Sequence, residues 1–391
     1  MAPTPNPFVF GRVLAAGELV DRAAELATLE RNLGREGRLF LIGPRRFGKT
    51  SLLAVAAERA TAGGTPTLLV NAERYTTLDG LAGAVIAAAS ELLSPSLRER
   101  AADVARWFAG LKPQAEYDPM TDSFKVSVTA REEAPPAQTL ATALDTLDRL
   151  AGARSKRLGV IVDEFQLVNE LGGIGAERQL RAAVQTHRHL SYVFAGSHTR
   201  MLLAMISEHR RPFYRLGESL YLGPVPRAPF STFLVEGLAP VASWTPEALT
   251  HVFEVCEDVP YSVQRLAHAL FDDFEAGSDG DRVGAIEVAD VERALDGLVA
   301  TLHATFLATY LTLTTTQRRV LAGMAHLPDL NGEVAAASRR VGVAASTYRT
   351  ARDRFLRADL LHERFGARRE RRQYAFVDPF FRRWLTGFAR G

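Results

Sequence analysis

The chain has 391 residues, 47% hydrophobic and 24% charged, the balance of an ordinary globular protein long enough for two or three domains. No apolar run approaches the roughly 20 residues of a membrane-spanning helix, and residues 1–7 carry no apolar signal core. Cys256 is the single cysteine, which excludes an internal disulfide and, by itself, a zinc site; together these features favour the cytoplasm. The net charge of +2 is unevenly spread, because residues 315–391 hold 16 Arg against 7 Asp and Glu, and this asymmetry makes nucleic acid a candidate partner.

In chain order, residues 18–33 read as an amphipathic helix with Leu19, Ala23, Leu26, Leu29 and Leu33 on one side. Arg38-Leu-Phe-Leu-Ile42 is a short apolar run ending at glycine, which suits a buried parallel strand. A helix over 50–60, a strand over 67–71 and a helix over 78–93 continue the alternation. Residues 94–136 interrupt it and read as an insertion with a small hairpin around Ser123-Phe-Lys-Val-Ser-Val128. A helix over 138–153, strand over 158–162, helix over 177–187, strand over 192–195 and strand over 219–222 complete the pattern. This is an α/β domain, a parallel sheet with helices on both faces, spanning 1–226.

Beyond Pro226 the spacing becomes helical, with segments at 229–238, 246–256, 261–275 and 286–307. They predict a small all-helical domain over 227–312. From Thr315, helices at 317–324, 333–340 and 346–358 precede a segment of hairpin character at 360–376, with Gly366 at its tip. Three helices and a hairpin predict a winged helix-turn-helix over 313–391.

Gly43-Pro-Arg-Arg-Phe-Gly48-Lys49-Thr50-Ser51 follows a strand and opens a helix, the context in which Gly-x4-Gly-Lys-Thr forms a phosphate loop. The loop of Gly43, Pro44, Arg45, Arg46, Phe47, Gly48, Lys49, Thr50 and Ser51 would curl around phosphate with its backbone N–H groups, Pro44 having none and contributing shape only. Lys49 would neutralise the β/γ-phosphates and the Thr50 hydroxyl would ligate Mg²⁺. Only four residues are Lys against 43 Arg, so a lysine at this position is informative. Asp163-Glu164 ends a buried strand, where Asp163 would hold Mg²⁺ and Glu164 would act as general base; the bland reading is a polar strand end capping a turn. ATP is the expected nucleotide, since no guanine-specifying Asn-Lys-x-Asp is present.

Two further positions carry alternatives. Ser197, or its neighbour His198, could touch the γ-phosphate or the attacking water, or could simply cap the strand-to-helix turn. Arg215 is either a finger on a neighbouring subunit's nucleotide, in a nucleotide-dependent homo-oligomer, or a structural salt-bridge arginine.

Taken together, Phe10-Gly-Arg12, Val20-Asp-Arg22, Gly43-Pro-Arg-Arg-Phe-Gly-Lys-Thr-Ser-Leu-Leu53, Val162-Asp-Glu-Phe-Gln166, Phe194-Ala-Gly-Ser197, Arg211-Pro-Phe-Tyr214 and Asp378-Pro-Phe-Phe-Arg-Arg-Trp384 resemble the archaeal-type ATPases, in the STAND branch of the AAA+-like P-loop NTPases. The resemblance implies an ATPase core, a helical lid and a C-terminal winged helix. The expected function is an ATPase using ATP and Mg²⁺, whose nucleotide state switches the arrangement of core, lid and winged helix and which turns over slowly where a finger or partner must complete the site. One departure stands out: members usually carry Gly-x-Pro in the lid, and this chain has Asp258-Val-Pro260.

In the candidate recognition helix, Tyr348, Ala351 and Phe355 should face the core. Ser346, Arg349, Thr350, Asp353 and Arg357 lie opposite, and Arg364, Arg368, Arg369, Arg371 and Arg372 line the wing. Arginine and hydroxyl residues there suit double-stranded DNA. The competing reading is a solvated face in which Arg349, Asp353 and Arg357 pair along the helix, with the module docking on the chain's own core or on a protein partner. A DNA-binding regulator or interaction scaffold with ATP only as ligand is thus the alternative function.

Overall fold

A computed structural model describes residues 5–94, 96–118, 120, 123–128, 137–197, 199–277, 284–327, 334–364 and 373–388. The chain divides into two compact units. A sheet unit holds Ala15–Gly43 and Lys49–Leu222; a helical unit holds Met1–Leu14, Pro44–Gly48 and Gly223–Gly391.

The sheet unit runs α1 (Ala23–Leu33), β1 (Arg38–Ile42), α2 (Lys49–Ala62), β2 (Thr67–Asn71), α3 (Leu78–Leu93), α4 (Leu97–Trp107), β3 (Gln114–Asp118), β4 (Ser123–Ser127), α5 (Gln138–Ala153), β5 (Leu158–Asp163), α6 (Leu167–Val184), β6 (Leu190–Gly196), α7 (Thr199–Ser207) and β7 (Glu218–Tyr221). Five strands form a parallel sheet in the order β2-β5-β6-β1-β7. Every residue of β5 and β6 is buried, as are Leu39–Ile42 of β1, because helices cover both faces. Phe194 of β6 packs against Phe165 at 4.3 Å, Phe40 at 5.3 Å and Phe213 at 5.8 Å, centroid to centroid.

Local expectations hold for the strands and for α2, α3 and α5, and differ elsewhere for physical reasons. The first helix starts at Ala23 rather than residue 18, because Asp21 adopts a left-handed backbone (φ 47°) that no helix continues through. The helix expected over 177–187 begins earlier, since α6 runs from Leu167 to Val184 with a kink at Gly173 (φ 62°). The insertion contains α4, N-capped by the Ser96 hydroxyl accepting from Glu99 N, as well as the expected antiparallel hairpin β3–β4, which buries Phe124 and Val126.

In the helical unit, α8 (Arg227–Leu238), β8 (Ala242–Trp244), α9 (Pro246–Val255), α10 (Pro260–Gly277), β9 (Gly284–Ile286), α11 (Val288–Thr301) and α12 (His303–Leu311) come first. The expectation of an all-helical segment is corrected by β8 and β9, which pair in parallel. The helix expected over 286–307 is two helices, broken at Leu302. Then α13 (Thr315–Ala325), α14 (Val334–Val341) and α15 (Ala345–Arg357) precede the antiparallel β10 (Leu361–Arg364) and β11 (Gln373–Phe376). A last helix, α16 (Pro379–Phe388), has no counterpart in the sequence reading.

The C-terminal string Asp378-Pro-Phe-Phe-Arg-Arg-Trp384 is a joint. Arg382 pairs with Glu257 at 2.8 Å and donates to the carbonyls of Ala325 and Leu327. Arg383 reaches Glu292 at 2.8 Å and Asp296 at 3.0 Å, while Trp384 Nε1 donates to His303 Nδ1. At the other end of the chain, Phe8 is 1% exposed against Phe233 and Phe271, and His268 Nδ1 lies 2.6 Å from the Phe8 carbonyl oxygen. No single described helix is long and apolar enough to cross a membrane.

Truncating the ring that joins these aromatic contacts in the sheet unit should be costly. We expect Phe194→Ala to lower stability by about 3–5 kcal/mol, read as a drop in the urea midpoint with the far-ultraviolet circular dichroism of the native state retained.

Candidate functional site

The C-terminal ends of β1, β6 and β5 line up so that Ile42 pairs with Gly196 and Val162 with Phe194. β6 therefore stands between the strand that opens the glycine loop and the strand that carries the carboxylates, and Ser197 emerges between them. The partners that join β1 to β6, Ile42 and Gly196, lie 154 residues apart and leave no local trace of that order.

The glycine loop leaves β1 at Gly43 and enters α2 at Lys49. Gly48 has φ +85°, where a side chain would be strained, so the turn itself requires this glycine. Ser51 and Lys49 are buried, and Lys49 is only 5% exposed. The loop tip makes contacts inside the helical unit. Arg45 Nε lies 3.0 Å from Asp359, and Arg46 Nη1 lies 2.6 Å from Asp378. Arg46 also stacks over Tyr261 at 4.9 Å, Tyr261 N donates to the Arg46 carbonyl, and the buried Phe47 meets His362 edge-on. These two arginines thus engage carboxylates, whereas the loop reading expected of them only backbone contacts.

Asp163 closes β5 at 2% exposure. Its Oδ2 accepts from the Thr50 hydroxyl at 3.0 Å and its Oδ1 from Glu164 N at 2.9 Å. Burial, then the charge of Glu164, push its pKa up; Lys49 and the hydrogen bonds pull it partly back. The next residue, Glu164, is forced into a left-handed backbone with φ 54°. Three donors converge on its Oε2: Gln166 Nε2 at 2.6 Å, the Ser197 hydroxyl at 2.8 Å and Ser197 N at 3.1 Å. Burial pushes its pKa up, but Lys49, Gln166 and Ser197 outweigh that and lower it. Neighbouring carboxylates thus differ in character, one reluctant and one held ionised.

The donor set suits a hard divalent cation such as Mg²⁺. Thr50 and Asp163 present a hydroxyl and a carboxylate 3.0 Å apart, and Asp163 gains from any added positive charge.

Ser197 thus meets the carboxylate rather than merely capping a turn, while His198 lies outside the described residues. Arg215 does not join the cluster among the described contacts. It is exposed, left-handed (φ 54°), and stacks over Tyr214 at 5.1 Å without an ion pair among the described residues. The segment before it is fastened by Arg211 to the fully buried Glu177, and by Arg181, which donates to the Tyr214 and Pro212 carbonyls. Gln166 is the residue that sequence reasoning passed over, although it lies in a string singled out for resemblance.

On α15, Tyr348, Ala351 and Phe355 are buried as expected, and Ser346, Arg349, Thr350 and Arg357 are exposed. Arg357 Nε donates to the Asp353 carbonyl at 3.2 Å, whereas the Arg349 side chain has no ion pair or hydrogen bond among the described residues. Arg368, Arg369, Arg371 and Arg372 lie outside the described residues.

No protein-family model matches the sequence, and no curated protein matches it. Among solved structures, the Walker-type ATPase PABY2304 of Pyrococcus abyssi is similar, with a TM-score of 0.61 and 16% identity over 97% of this chain and 99% of that one. The Aeropyrum pernix ORC1 protein in complex with DNA gives 0.49 at 16% identity, over 95% and 94% of the two chains. The ADP form of A. pernix ORC2 gives 0.49 at 16% over 96% and 98%. The chain has the P-loop ATPase fold.

The raised pKa of Asp163 means that its ionised form is disfavoured in the folded state relative to the unfolded chain at neutral pH. An amide would keep both hydrogen bonds, since the Thr50 hydroxyl can turn to accept. We therefore expect Asp163→Asn to raise the thermal midpoint of the nucleotide-free protein. A lower midpoint would mean that attraction to Lys49 outweighs burial.

Proposed function

We propose that this chain is a Mg-ATP-binding P-loop ATPase that turns over slowly and acts as a nucleotide-dependent switch. The observation that carries the reading is the meeting of Lys49, Thr50, Asp163, Glu164 and Ser197 at one end of the parallel sheet. The loop backbone and the N-terminus of α2 bind phosphate oxygens, and Lys49 neutralises them. Thr50 and Asp163 would hold Mg²⁺, which supplies further charge neutralisation on the phosphates. Glu164 accepts a proton from the attacking water. Arg215, exposed and without an ion pair among the described residues, acts as a finger on a neighbouring subunit. In this reading residues 1–226 form the ATPase core, 227–312 the lid and 313–391 a winged helix, as in the STAND ATPases that the sequence resembles.

Mg-ATP binding and turnover measured on wild type, Lys49→Ala and Glu164→Gln test the assignment. We expect Lys49→Ala to lose binding. Glu164→Gln should bind ATP while turnover falls about 100- to 10,000-fold. Wild type that binds no nucleotide would overturn the reading.

A second reading, duplex DNA as partner of the winged helix, is favoured by Arg349, which is exposed and not neutralised by a neighbour among the described residues. Arg349→Ala should weaken duplex binding uniformly across sequences and reduce the slope of log K against log salt by about 1. An unchanged slope would favour a protein partner.

A further inference from the structure

The convergence of three donors on one oxygen of Glu164 is more than the carboxylate needs to be soluble in its pocket, and it is asymmetric. Oε2 takes all three hydrogen bonds, and Oε1 takes none among the described residues. A proton-accepting carboxylate needs one oxygen fixed and the other free, which is this arrangement. We propose that Gln166 is a positioning residue for the general base. Together with Ser197 it holds Glu164 by Oε2 so that Oε1 faces the water it deprotonates. The inference rests on the ATPase reading above and adds a residue that the phosphate-loop pattern does not contain.

Gln166 is itself oddly placed. It is 1% exposed, and its Oε1 has no hydrogen-bond partner among the described residues. Exchanging the amide nitrogen and oxygen would set two acceptors 2.6 Å apart, so the donor must face Glu164. The amide lies tight against β6, where a Cβ at Gly196 would come within 2.1 Å of Gln166 Oε1. A buried acceptor left unsatisfied is destabilising, and an apolar side chain of similar size would avoid it. The position therefore trades stability for a donor aimed at one carboxylate oxygen. Without that donor, Glu164 is drawn by the nearby charge of Lys49, whose attraction already acts on it. A base pulled toward the lysine is withdrawn from the water.

The test separates positioning from packing. Gln166→Leu should fold with a urea midpoint equal to or above wild type and bind Mg-ATP within about threefold of it. Its single-turnover hydrolysis should fall about 10- to 100-fold. Gly196→Ala, which displaces the amide without removing it, should reproduce the loss. In a Glu164→Gln background Gln166→Leu should add nothing, since no base remains to be positioned. Ser197→Thr, which keeps a hydroxyl, should retain more turnover than Ser197→Ala. Turnover that is unchanged or faster in Gln166→Leu would overturn the proposal while leaving the ATPase reading intact. Loss of affinity in step with turnover, or a further loss in the Glu164→Gln background, would also overturn it. A wild type without any hydrolysis would overturn both.

Discussion

One ammonium and two carboxylates share the end of a sheet whose central strands are sealed from water, and the surrounding structure is shaped by that charge imbalance. Lys49 and Asp163 are almost fully buried, and Lys49 acts on both acids. A single positive charge cannot settle two negative ones in a poorly polarisable setting. Asp163 receives two hydrogen bonds and remains reluctant to ionise; Glu164 receives three on one oxygen and ionises readily. Asp163 therefore gains from any further positive charge brought beside it. On the ATPase reading, a cation bound together with a phosphate supplies that charge.

How much of this is visible in residue types depends on how local each feature is. The apolar runs at 38–42, 67–71 and 158–162 are strands because their length and punctuation allow little else, and the glycine loop is written in consecutive residues. The order of the strands is not. β6 lies between β1 and β5 through pairings that join Ile42 to Gly196 and Val162 to Phe194. Gln166 stands in plain view within Val162-Asp-Glu-Phe-Gln166, yet its reach back to Glu164 depends on a left-handed turn at Glu164 that no residue type announces. α4 was hidden in another way: its helix is rich in charge, and an insertion between regular units invites an irregular reading.

In the helical unit, Asp378-Pro-Phe-Phe-Arg-Arg-Trp384 has a recognisable pattern whose role only contacts reveal. Asp378 caps its own helix by accepting from Phe380 N and also takes Arg46. The two following arginines hold separate elements, Arg382 the Glu257 turn and Arg383 the acids of α11. Arginine suits such multivalent joints because its planar fork can donate in several directions at once, which a lysine cannot. The scarcity of lysine in this chain therefore costs the joint nothing.

Left-handed backbone at residues with side chains gives the last link. Among the positions with such φ values are Arg46, Glu164 and Arg215, each a residue singled out from sequence for phosphate chemistry. Glycine would relieve the strain and delete the charge, so each is held by partners instead: Asp378 and Tyr261 for Arg46, Gln166 and Ser197 for Glu164, and the anchored segment before Arg215. Asp258 obeys the same logic. It stands where the resembled family has glycine, at φ 57°, with Arg227 Nε 2.6 Å and Nη2 3.0 Å from its two carboxylate oxygens. Aspartate tolerates this conformation better than most residues, and a two-point arginine contact offsets the remainder. The turn survives the loss of glycine, and the chain gains an anchored carboxylate in its place.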